Sequence, residues 1–519
     1  MNQSLLERLL DYYHISYDEY LKLVKPFDLS NFAAGHQFDD IDNAVSLVKE
    51  AVKNKNKIII YGDYDADGIM GTSILVKMFQ YLDVIVDYYI PNRYSDGYGL
   101  NMAHAQEYID KKYDLVITVD NGITANEPIE LLHKNGVKVL VLDHHQVGEN
   151  LPKADSICHP THSHFGETPS SGAFTAFMFS IALLDRVDKY LATLASISLI
   201  SDMMPLLDYN RNLLRAVFNT YEIGEFLPID LLGDNEVFNE SLIGMKIAPR
   251  INSIGRLCED QSINKIVEYF TTSNKEFILN YYSHILEMNE ARKQYSKIDL
   301  KDLNISTNDK AIVVQGDFKE GIIGLIANSL MMKYRVPVIV FSTPNSEEII
   351  KGSGRCPEGC DIVDIFSHLS QYIITSGGHA LAGGCSIYLK DYEAFKNDFI
   401  SYAGSIIYTK PETKCIDLGI NEMNMENYDL ISSFGPFGES WVAPLFKLRH
   451  IKVDTLTYSR DHKHIITSIG NKQKLVYFNY PQSEIDSNKY VDAIGQLQLK
   501  SFNGFNYLEF AVKEFKPSI

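Results

Sequence analysis

The stretch that decides the fold runs from Lys57 to Gly68 and reads KIIIYGDYDADG. Its first half is a short apolar run bounded by turn residues, which is typical of a buried strand. A helical stretch follows at 71–82, and the strand pattern returns in VIVDYY (84–89), DLVITV (114–119) and VKVLVL (137–142). Strands that alternate with helices at this spacing predict βαβ units and a parallel sheet with right-handed crossovers.

Three acidic side chains lie in the turn after the first strand. Asp63, Asp65 and Asp67 fall within five residues, at the carboxyl end of a strand, where doubly wound sheets bind their ligands. Their charges would repel one another, and a bound cation is the usual remedy. For a single motif of this kind, a solvated turn that caps the next helix is the alternative.

Acidic and imidazole side chains also end the following elements. Asp120 follows the next strand, the run Asp143, His144, His145 follows the one after it, and Asp202 follows a helical stretch. Capping roles for all of them together are improbable. Carboxylates with imidazoles suit Mn²⁺, or Mg²⁺ with fewer protein ligands. Two such ions ~3.5–4 Å apart form a clamp for displacement at phosphorus, so the pattern predicts hydrolysis of a phosphoester or phosphoanhydride.

A second α/β pattern begins near residue 310, after a helix-rich segment at about 240–300. It contains two glycine-rich stretches, Gly352-Ser353-Gly354-Arg355 and Ser376-Gly377-Gly378-His379. Glycines let the backbone approach an anion closely, and each stretch ends in a guanidinium or an imidazole. The two stretches predict phosphate binding, with ordinary tight turns as the alternative.

The part of the chain after about residue 400 has the alternating pattern of a small all-β domain. Between Phe446 and Lys500, nine basic side chains stand against five acidic ones. Tyr458, Tyr477, Phe478, Tyr480 and Tyr490 are interleaved with these charged residues. A basic sheet with aromatic side chains suits an OB-fold on which nucleic-acid bases stack. A sheet whose aromatic residues all belong to the core is the alternative.

Composition excludes several classes of protein. The 519 residues carry a net charge of −19, which excludes a protein that coats nucleic acid by bulk charge but leaves room for a local basic surface. The six cysteines have no framework spacing and are expected to be reduced thiols. No apolar stretch reaches the ~20 residues of a membrane span, and MNQSLLERLL lacks the pattern of a signal peptide. We therefore expect a cytoplasmic protein with no membrane partner.

The motifs together resemble the DHH phosphoesterase superfamily, and within it the RecJ single-strand-specific exonucleases. Segments similar to the four metal-binding motifs of the superfamily occur in the same order: DYDADG (63–68), VDNGI (119–123), LDHH (142–145) and SDMMPL (201–206). GGHALAGG (377–384) is similar to the glycine-rich motif of the associated second domain. The segments that resemble RecJ in particular are PNRYSDGYGLN (91–101), PRINSIGRL (249–257), EGIIGLIA (320–327) and KGSGR (351–355).

The resemblance implies an α/β protein in which a parallel-sheet DHH domain is joined by a helical connector to a second α/β domain of DHHA1 type, followed by a C-terminal OB-like β-barrel. The expected boundaries are 1–56 for an N-terminal helical segment, 57–215 for the DHH domain, 216–305 for the connector, 306–400 for the DHHA1-like domain and 401–519 for the OB-like domain.

The resemblance also implies a role for each metal ligand. Asp65 and Asp67 would each bind one ion, Asp120 would bridge the pair, and His144 and Asp202 would complete the second site. The two ions would be Mn²⁺ or Mg²⁺.

Further residues are implied to act on the substrate. His145 would face the scissile phosphate, with Asp63 and Asp143 in supporting positions, and these three form the predicted catalytic group. The residues expected to bind substrate are Arg355, His379, Gly377, Gly378, Ser353, Arg256, Arg250, Asn210 and Arg211.

The activity implied is 5′→3′ hydrolysis of single-stranded DNA to mononucleotides, in repair and recombination, with a single-strand-binding protein or a helicase as a further partner. One alternative is a DHH-type phosphodiesterase acting on nanoRNA, cyclic dinucleotides or small phosphates, although such relatives generally lack the basic β tail. A second alternative is a RecJ-like replication scaffold. Scaffolds of that kind typically lose metal ligands, whereas the motif acids and histidines are all present here.

Overall fold

The computed structural model describes residues 3–34, 38–297, 309–408, 413–470, 473–481, 484–485, 489–502 and 505–518. The chain divides into two compact units. The large unit comprises Asp28–Met204 and Ala216–Pro411, and the small unit comprises Met1–Phe27, Pro205–Arg215 and Glu412–Ile519.

Two helices of the small unit open the chain, α1 (Leu5–Tyr13) and α2 (Tyr17–Val24). Each begins with a capping box, in which Ser4 pairs with Glu7 and Ser16 with Glu19. Such a reciprocal pair satisfies two backbone donors that a helix start leaves open. The large unit then begins with a short 3₁₀ turn at Leu29–Ala34.

The first sheet of the large unit has five parallel strands in the order β2-β1-β3-β4-β5. Its strands are β1 (Ile58–Tyr61), β2 (Asp87–Tyr89), β3 (Leu115–Val119), β4 (Lys138–Leu142) and β5 (Ser156–Cys158). Its helices are α3 (Ile41–Lys53), α4 (Ala66–Tyr81), α5 (Met102–Asp110), α6 (Asn126–Lys134), α7 (Gly172–Leu184) and α8 (Lys189–Ser201). Every residue of β1 and β3 is buried, as parallel strands covered on both faces require. The predicted parallel sheet is confirmed.

The helix-rich connector follows. The helix α9 (Asp208–Thr220) begins in the small unit and ends in the large one. The connector continues with α10 (Leu227–Leu232), α11 (Glu240–Leu242), a π-helical turn (Ile243–Ile247), α12 (Ala248–Leu257), a 3₁₀ turn (Gln261–Asn264), α13 (Lys265–Thr271) and α14 (Lys275–Ser296). The helix α12 packs on both α14 and α15 (Glu320–Tyr334), so the connector joins the two sheets of the large unit.

The second sheet has the order β6-β7-β8-β10-β9. Its elements are β6 (Ile312–Gln315), β7 (Val338–Phe341), β8 (Ile349–Arg355), α16 (Ile362–His368), β9 (Ile373–His379), β10 (Ala382–Tyr388) and α17 (Tyr392–Ala403). The glycine-rich stretch at 376–379 is therefore not a turn but part of the hairpin strand β9. A Cβ on Gly378 would lie 2.4 Å from the Cα of Gly383 on β10, so the close pairing of these strands requires glycine.

The small unit closes the chain with a six-stranded mixed sheet in the order β11-β12-β15-β16-β14-β13. Its elements are β11 (Ile416–Asp417), α18 (Met425–Ser433), β12 (Phe446–Lys452), β13 (His464–Ile469), β14 (Gln473–Phe478), β15 (Tyr490–Phe502) and β16 (Phe505–Pro517). The apolar face of α1 packs into the same core, with Leu5 and Leu9 buried beside Phe434. The β-rich C-terminal domain is confirmed.

The aromatic residues of this sheet divide between core and surface. Tyr477 is buried, and its hydroxyl donates to the backbone oxygen of Lys513 at 3.0 Å. Phe478 and Tyr490 are 62% and 41% exposed. The alternation along β14 places one ring in the core and its neighbour on the surface.

Among the described helices, none combines the length and the apolar character that crossing a membrane would require.

Candidate metal centre

The acidic turn after β1 is organised by the start of α4. Asp65 is the N-cap of this helix, and its Oδ1 accepts hydrogen bonds from the backbone N–H groups of Asp67 (2.9 Å) and Gly68 (3.2 Å). Asp63 is buried, and its Oδ1 has no hydrogen-bond partner among the described residues. A buried carboxylate oxygen without a donor is costly unless a cation or a proton neutralises it.

Asp67 is held by a second helix. Its Oδ2 accepts from the N–H of Gly172 and its Oδ1 from the N–H of Ala173, both at 2.7 Å, and the hydroxyl of Ser198 donates to Oδ1 as well. The two amides belong to the first turn of α7, where unpaired N–H groups and the helix dipole favour a negative charge. The carboxylate of Asp67 is therefore fixed in orientation by three hydrogen-bond donors.

Asp120 follows β3 with a left-handed backbone, φ +61°. A Cβ on Gly172 would lie 2.7 Å from the Cβ of Asp120, so the start of α7 can approach this carboxylate only because residue 172 is glycine. The approach brings Asp67 and Asp120 to the same edge of the sheet.

The segment Asp143-His144-His145 after β4 is held in place by hydrogen bonds to the carboxylate of Asp143. Asp143 Oδ2 accepts from the N–H of Ile123 at 2.9 Å, while its Oδ1 accepts from the N–H of His144 (2.7 Å) and lies 2.8 Å from Nδ1 of His145. Burial alone would raise the pKa of Asp143, but the hydrogen bond from His145 and the two imidazoles hold that pKa below its usual value. Asp143 is thus an ionised anchor for the histidine that follows.

The predicted ligands converge into three overlapping groups. Within each group, the donor atoms lie within 4.8 Å of one another. The groups are Asp120 with His144 and His145, Asp67 with His144 and Asp202, and Asp63 with Asp65 and Asp120. The Nε2 atom of His144 lies 3.1 Å from Asp120, 3.4 Å from Asp67 and 3.5 Å from Asp202. The structure therefore brings together every residue that the sequence predicted as a metal ligand.

The electrostatics of the cluster fit divalent cations. Burial and the neighbouring carboxylates raise the pKa of Asp63 and of Asp120 well above the usual range, and the same causes raise the pKa of Asp202 to about 9. Burial opposes the charge on His145, but its hydrogen bond to Asp143 outweighs that effect and raises the pKa of His145 to about 9. Carboxylate repulsion of this size is what a pair of divalent cations would relieve, and the mixed oxygen and imidazole donors suit Mn²⁺ or Mg²⁺.

A group of arginines lies beside the carboxylates. Burial lowers the pKa of Arg256 to about 10, and the charges of Arg93, Arg292 and Arg355 act in the same direction, while Asp65 opposes them. The guanidinium of Arg93 stacks at 4.0 Å on the ring of Tyr64, between Asp63 and Asp65 in the chain. Sequence reasoning predicted Arg256 and Arg355 but missed Arg93. The only signal for Arg93 was its place in the PNRYSDGYGLN segment.

From the second sheet, Arg355 lies near Arg256, and Ser353 contacts Arg355. Arg355 Nη1 donates to Ser353 Oγ at 3.0 Å and to the backbone oxygen of Gly354 at 2.7 Å, which holds the guanidinium against β8. Gly377, Gly378 and His379 lie on β9, the edge strand of the sheet, and all three are exposed.

Three other predicted substrate residues have partners of their own. Arg250 forms an ion pair with Asp234, with nitrogen to oxygen distances of 2.8 and 3.0 Å. Asn210 Nδ2 donates to the backbone oxygen of Pro205, and Arg211 donates to three consecutive backbone oxygens at 434–436. Asn210 and Arg211 belong to the small unit, where Arg211 also lies 4.9 Å from the ring of Trp441. These contacts within the protein are enough to explain why an arginine occupies position 250 and position 211.

Tyr98 is a further residue of the site that sequence reasoning missed. Its hydroxyl lies 3.1 Å from the ring nitrogens of His145 and 3.3 Å from the backbone oxygen of Asp120. The ring is 48% exposed and lines a cavity of about 310 Å³ with Gly99, Thr124 and Asn126. A substrate that contacts His145 would therefore meet Tyr98 as well.

Three protein-family models match the chain. The DHH family, N-terminal domain, matches residues 57–199, and the DHHA1 domain matches residues 308–405. The RecJ OB domain matches residues 416–514. The chain thus carries segments that match a DHH domain, a DHHA1 domain and a RecJ OB domain. The DHH model covers the first sheet of the large unit, the DHHA1 model covers its second sheet, and the RecJ OB model covers the sheet of the small unit.

Individual RecJ proteins match over most of the chain. The single-stranded-DNA-specific exonuclease RecJ of Haemophilus influenzae is 29% identical over 99% of this chain and 96% of its own length. A crystal structure of RecJ in complex with Mn²⁺ from Thermus thermophilus has the same fold, with a TM-score of 0.83 at 23% identity over 98% of this chain and 77% of that one. A structure of exonuclease RecJ bound to manganese is 27% identical over 72% of this chain and 96% of that one, with a TM-score of 0.62.

Proposed function

We propose that this chain is a metal-dependent exonuclease that hydrolyses single-stranded DNA from the 5′ end and releases mononucleotides. The observation that carries the proposal is the sharing of ligands among the three donor groups, since Asp120 and His144 each belong to two of them. Shared ligands are what two closely spaced cations need. The relatives named above as single-stranded-DNA-specific exonucleases and the RecJ structures that contain manganese support the same activity.

The ligands themselves have distinct tasks in this proposal. Asp65, Asp67, Asp120, His144 and Asp202 hold Mn²⁺ or Mg²⁺, and Asp63 and Asp143 keep the cluster in place. When bound, the pair of ions supplies an activated water and neutralises the charge that develops on the phosphate oxygens.

His145 acts on the scissile phosphate from the protein side. Its Nδ1 lies 2.8 Å from Asp143, which leaves Nε2, 3.1 Å from the Tyr98 hydroxyl, as the nitrogen that can donate to a phosphate oxygen. Without cations, the hydrogen bond to Asp143 raises the pKa of His145 to about 9, and Asp143 holds the ring in place. The imidazole can therefore stabilise negative charge on the phosphate or return a proton to the leaving oxygen.

The arginine group binds the strand next to the reacting phosphate. The charge of Arg93 acts on Asp63, that of Asp65 acts on Arg256, and Arg355 lies near Arg256. Planar guanidinium groups of this kind bind phosphate oxygens in pairs. Ser353 holds Arg355, and the exposed Gly377, Gly378 and His379 offer further contacts to the backbone of the strand. The mixed sheet of the small unit, with Phe478 and Tyr490 on its surface, offers aromatic rings on which nucleic-acid bases can stack.

The proposal includes a cellular setting. We place the enzyme in the cytoplasm, in repair and recombination, where a helicase or a single-strand-binding protein would supply the strand. The excess of acid over base in the chain disfavours long-range capture of DNA, so a partner that delivers the strand fits its charge.

The experiment that tests the proposal is digestion of one oligonucleotide labelled at its 5′ or its 3′ end, as a single strand and as a blunt duplex, with Mn²⁺, Mg²⁺ or chelator. We expect immediate release of a labelled mononucleotide from the 5′-labelled single strand, progressive shortening of the 3′-labelled one, and no reaction with chelator. Hydrolysis of dinucleotides without digestion of longer strands would instead favour a small-substrate phosphodiesterase. No hydrolysis of either substrate would favour a scaffold.

A further inference from the structure

His159 lies where the main-chain pairing of β4 and β5 ends. The parallel register stops at Leu142 and Cys158, and the last backbone hydrogen bond of the pair runs from the N–H of Asp143 to the oxygen of Cys158, at 3.2 Å. Beyond this point, the side chain of His159, and not its backbone, makes the hydrogen bond to the neighbouring segment. Its Nε2 lies 2.8 Å from the backbone oxygen of His145.

The contacts of His159 define its tautomer. The backbone N–H of His162 donates to Nδ1 at 3.2 Å, and the hydroxyl of Thr161 lies 3.3 Å from the same atom. Because a backbone N–H can only donate, Nδ1 must be the acceptor, and the proton of the neutral ring is on Nε2. The Nε2–H group therefore donates to the oxygen of His145.

His159 is buried, and its own backbone is hydrogen-bonded to Ser163. His159 is 2% exposed. Its N–H donates to Ser163 Oγ at 3.2 Å, and its oxygen accepts from the N–H of Ser163 at 2.9 Å. A ring confined in this way can transmit its own position to the residue it binds.

We propose that His159 is a positioning residue, whose Nε2–H fixes the backbone of His145 and so holds the imidazole of His145 toward the substrate phosphate. The proposal rests on the function proposed above, because it assigns His159 to the reaction of that site. Asp143 holds the ring of His145 and His159 holds its backbone, so the residue is attached at both ends.

A metal site in the same loop, where His159, His162 and His164 follow Cys158, is the competing explanation. The structure does not favour it. None of these histidines belongs to the groups of convergent ligand atoms found among the described residues. His164 is exposed, and its Nδ1 lies 2.5 Å from Asp39.

Two substitutions separate positioning from folding. In His159→Asn the amide oxygen can still accept from His162, so the turn is kept, but the side chain is too short to reach His145. In His159→Gln the amide nitrogen lies near the position of Nε2, so the donor is restored. The matched control is His164→Asn, in the same loop.

We expect His159→Asn to lower kcat on single-stranded DNA by about 10–100-fold, with KM changed by less than about threefold and the melting temperature close to that of the parent. We expect His159→Gln to recover most of the loss and His164→Asn to match the parent. A His159→Asn variant with the kcat of the parent would overturn the proposal. Equal losses in both His159 variants, accompanied by a lower melting temperature, would also overturn it, because they would indicate a purely structural role.

A second measurement does not depend on activity. Proton–nitrogen correlation spectra of the histidine-labelled protein, with the His159 signals assigned from the variants, report which ring nitrogen carries the proton. We expect the Nε2–H tautomer, with the shift of a hydrogen-bonded Nδ1 acceptor. The Nδ1–H tautomer would overturn the proposal, since Nε2 could not then donate to a carbonyl. A parent protein inactive on DNA would disprove the proposed function, and the tautomer would still decide whether His159 anchors His145.

Discussion

The Nε2 atom of His144 lies 3.1 Å from Oδ1 of Asp120, and these two residues link the three ligand groups of the site. Asp120 comes from the end of β3 and His144 from the end of the neighbouring strand β4. Parallel strands that end side by side bring the two residues together without any long loop. The geometry of the sheet thus provides the shared position that a pair of cations needs.

The first prediction concerns Asp120. Replacement by asparagine keeps the size of the side chain but removes the charge that two donor groups share. We expect Asp120→Asn to lower kcat on single-stranded DNA by about 10²–10³-fold, because metal-ion stabilisation is worth several kcal/mol. Initial rates in saturating Mn²⁺ measure the effect, with Asp110→Asn, an exposed helical aspartate, as the control. A loss of less than tenfold would argue against a bridging role.

Binding of Mn²⁺ should release protons. Without cations, the pKa of Asp202, about 9, keeps a proton on this carboxyl at neutral pH, and the pKa values of Asp63 and Asp120 are raised in the same direction. Bound ions must displace the protons that the cluster holds. We expect affinity for Mn²⁺ to rise with pH up to about 9, the pKa of Asp202. Calorimetric titration at pH 7.5 in buffers of different ionisation enthalpy counts the protons, and we expect about one or more per chain. A heat independent of the buffer would contradict this prediction.

Asp202 should lower the stability of the folded protein when no metal is bound. An aspartate of an unfolded chain has a pKa near ~3.9, whereas burial and neighbouring carboxylates raise the pKa of Asp202 to about 9. The folded state therefore binds the extra proton between these values, and its stability falls as pH rises through that window. In chelator, Asp202→Asn should melt at a higher temperature than the parent, with a difference that grows from pH 6 to pH 8.5.

With Mn²⁺ added, the parent should melt at a higher temperature than Asp202→Asn, because only the parent retains all its metal ligands. Thermal unfolding followed by fluorescence, with and without Mn²⁺, tests both statements. A variant that is less stable than the parent in chelator at every pH would show that Asp202 supports the fold by itself.

Arg93 should act on substrate binding. Its guanidinium lies over Tyr64, and the Nε atom is buried without a partner among the described residues. Arg93→Lys keeps the charge but loses the planar pair of donors, so we expect KM to rise about tenfold with a smaller change in kcat. Arg186→Lys, at an exposed ion pair, is the control. An unchanged KM would remove Arg93 from the phosphate site.

Phe478 and Tyr490 should matter only for long strands. Stacking on exposed rings contributes ~1–3 kcal/mol per base, so a Phe478→Ala, Tyr490→Ala double variant should bind a long oligonucleotide at least about tenfold more weakly. Hydrolysis of a trinucleotide should stay at the parent rate. Fluorescence anisotropy and product analysis measure the two effects, with Tyr17→Ala as an exposed aromatic control in the same unit. Equal losses on both substrates would contradict a separate binding surface.

The metal ligands could be predicted because their positions follow from local pattern. Asp120 and His144 come directly after apolar strands, and the ends of parallel strands meet at one edge of the sheet. Asp65 is likewise identified by its place before a helix, where it caps the first turn.

The arginines show where sequence reasoning stops. Nothing local distinguishes Arg256, beside the carboxylates, from Arg250, six residues earlier, which pairs with Asp234. Arg211 likewise uses its donors on backbone oxygens of its own unit. Arg93 reaches the site only through tertiary packing against Tyr64. The partner of a long cationic side chain depends on packing between segments far apart in the chain, which motif spacing does not encode.

The most direct test of the central claim is the position of the cations. Crystals of the protein grown with Mn²⁺ should give two anomalous difference peaks at the manganese absorption edge, ~3.5–4 Å apart. One peak should lie beside Asp65 and Asp120 and the other among Asp67, Asp120, His144 and Asp202, and Asp120→Asn should lose at least one of them. No peak at these carboxylates, while peaks appear elsewhere on the chain, would contradict the account.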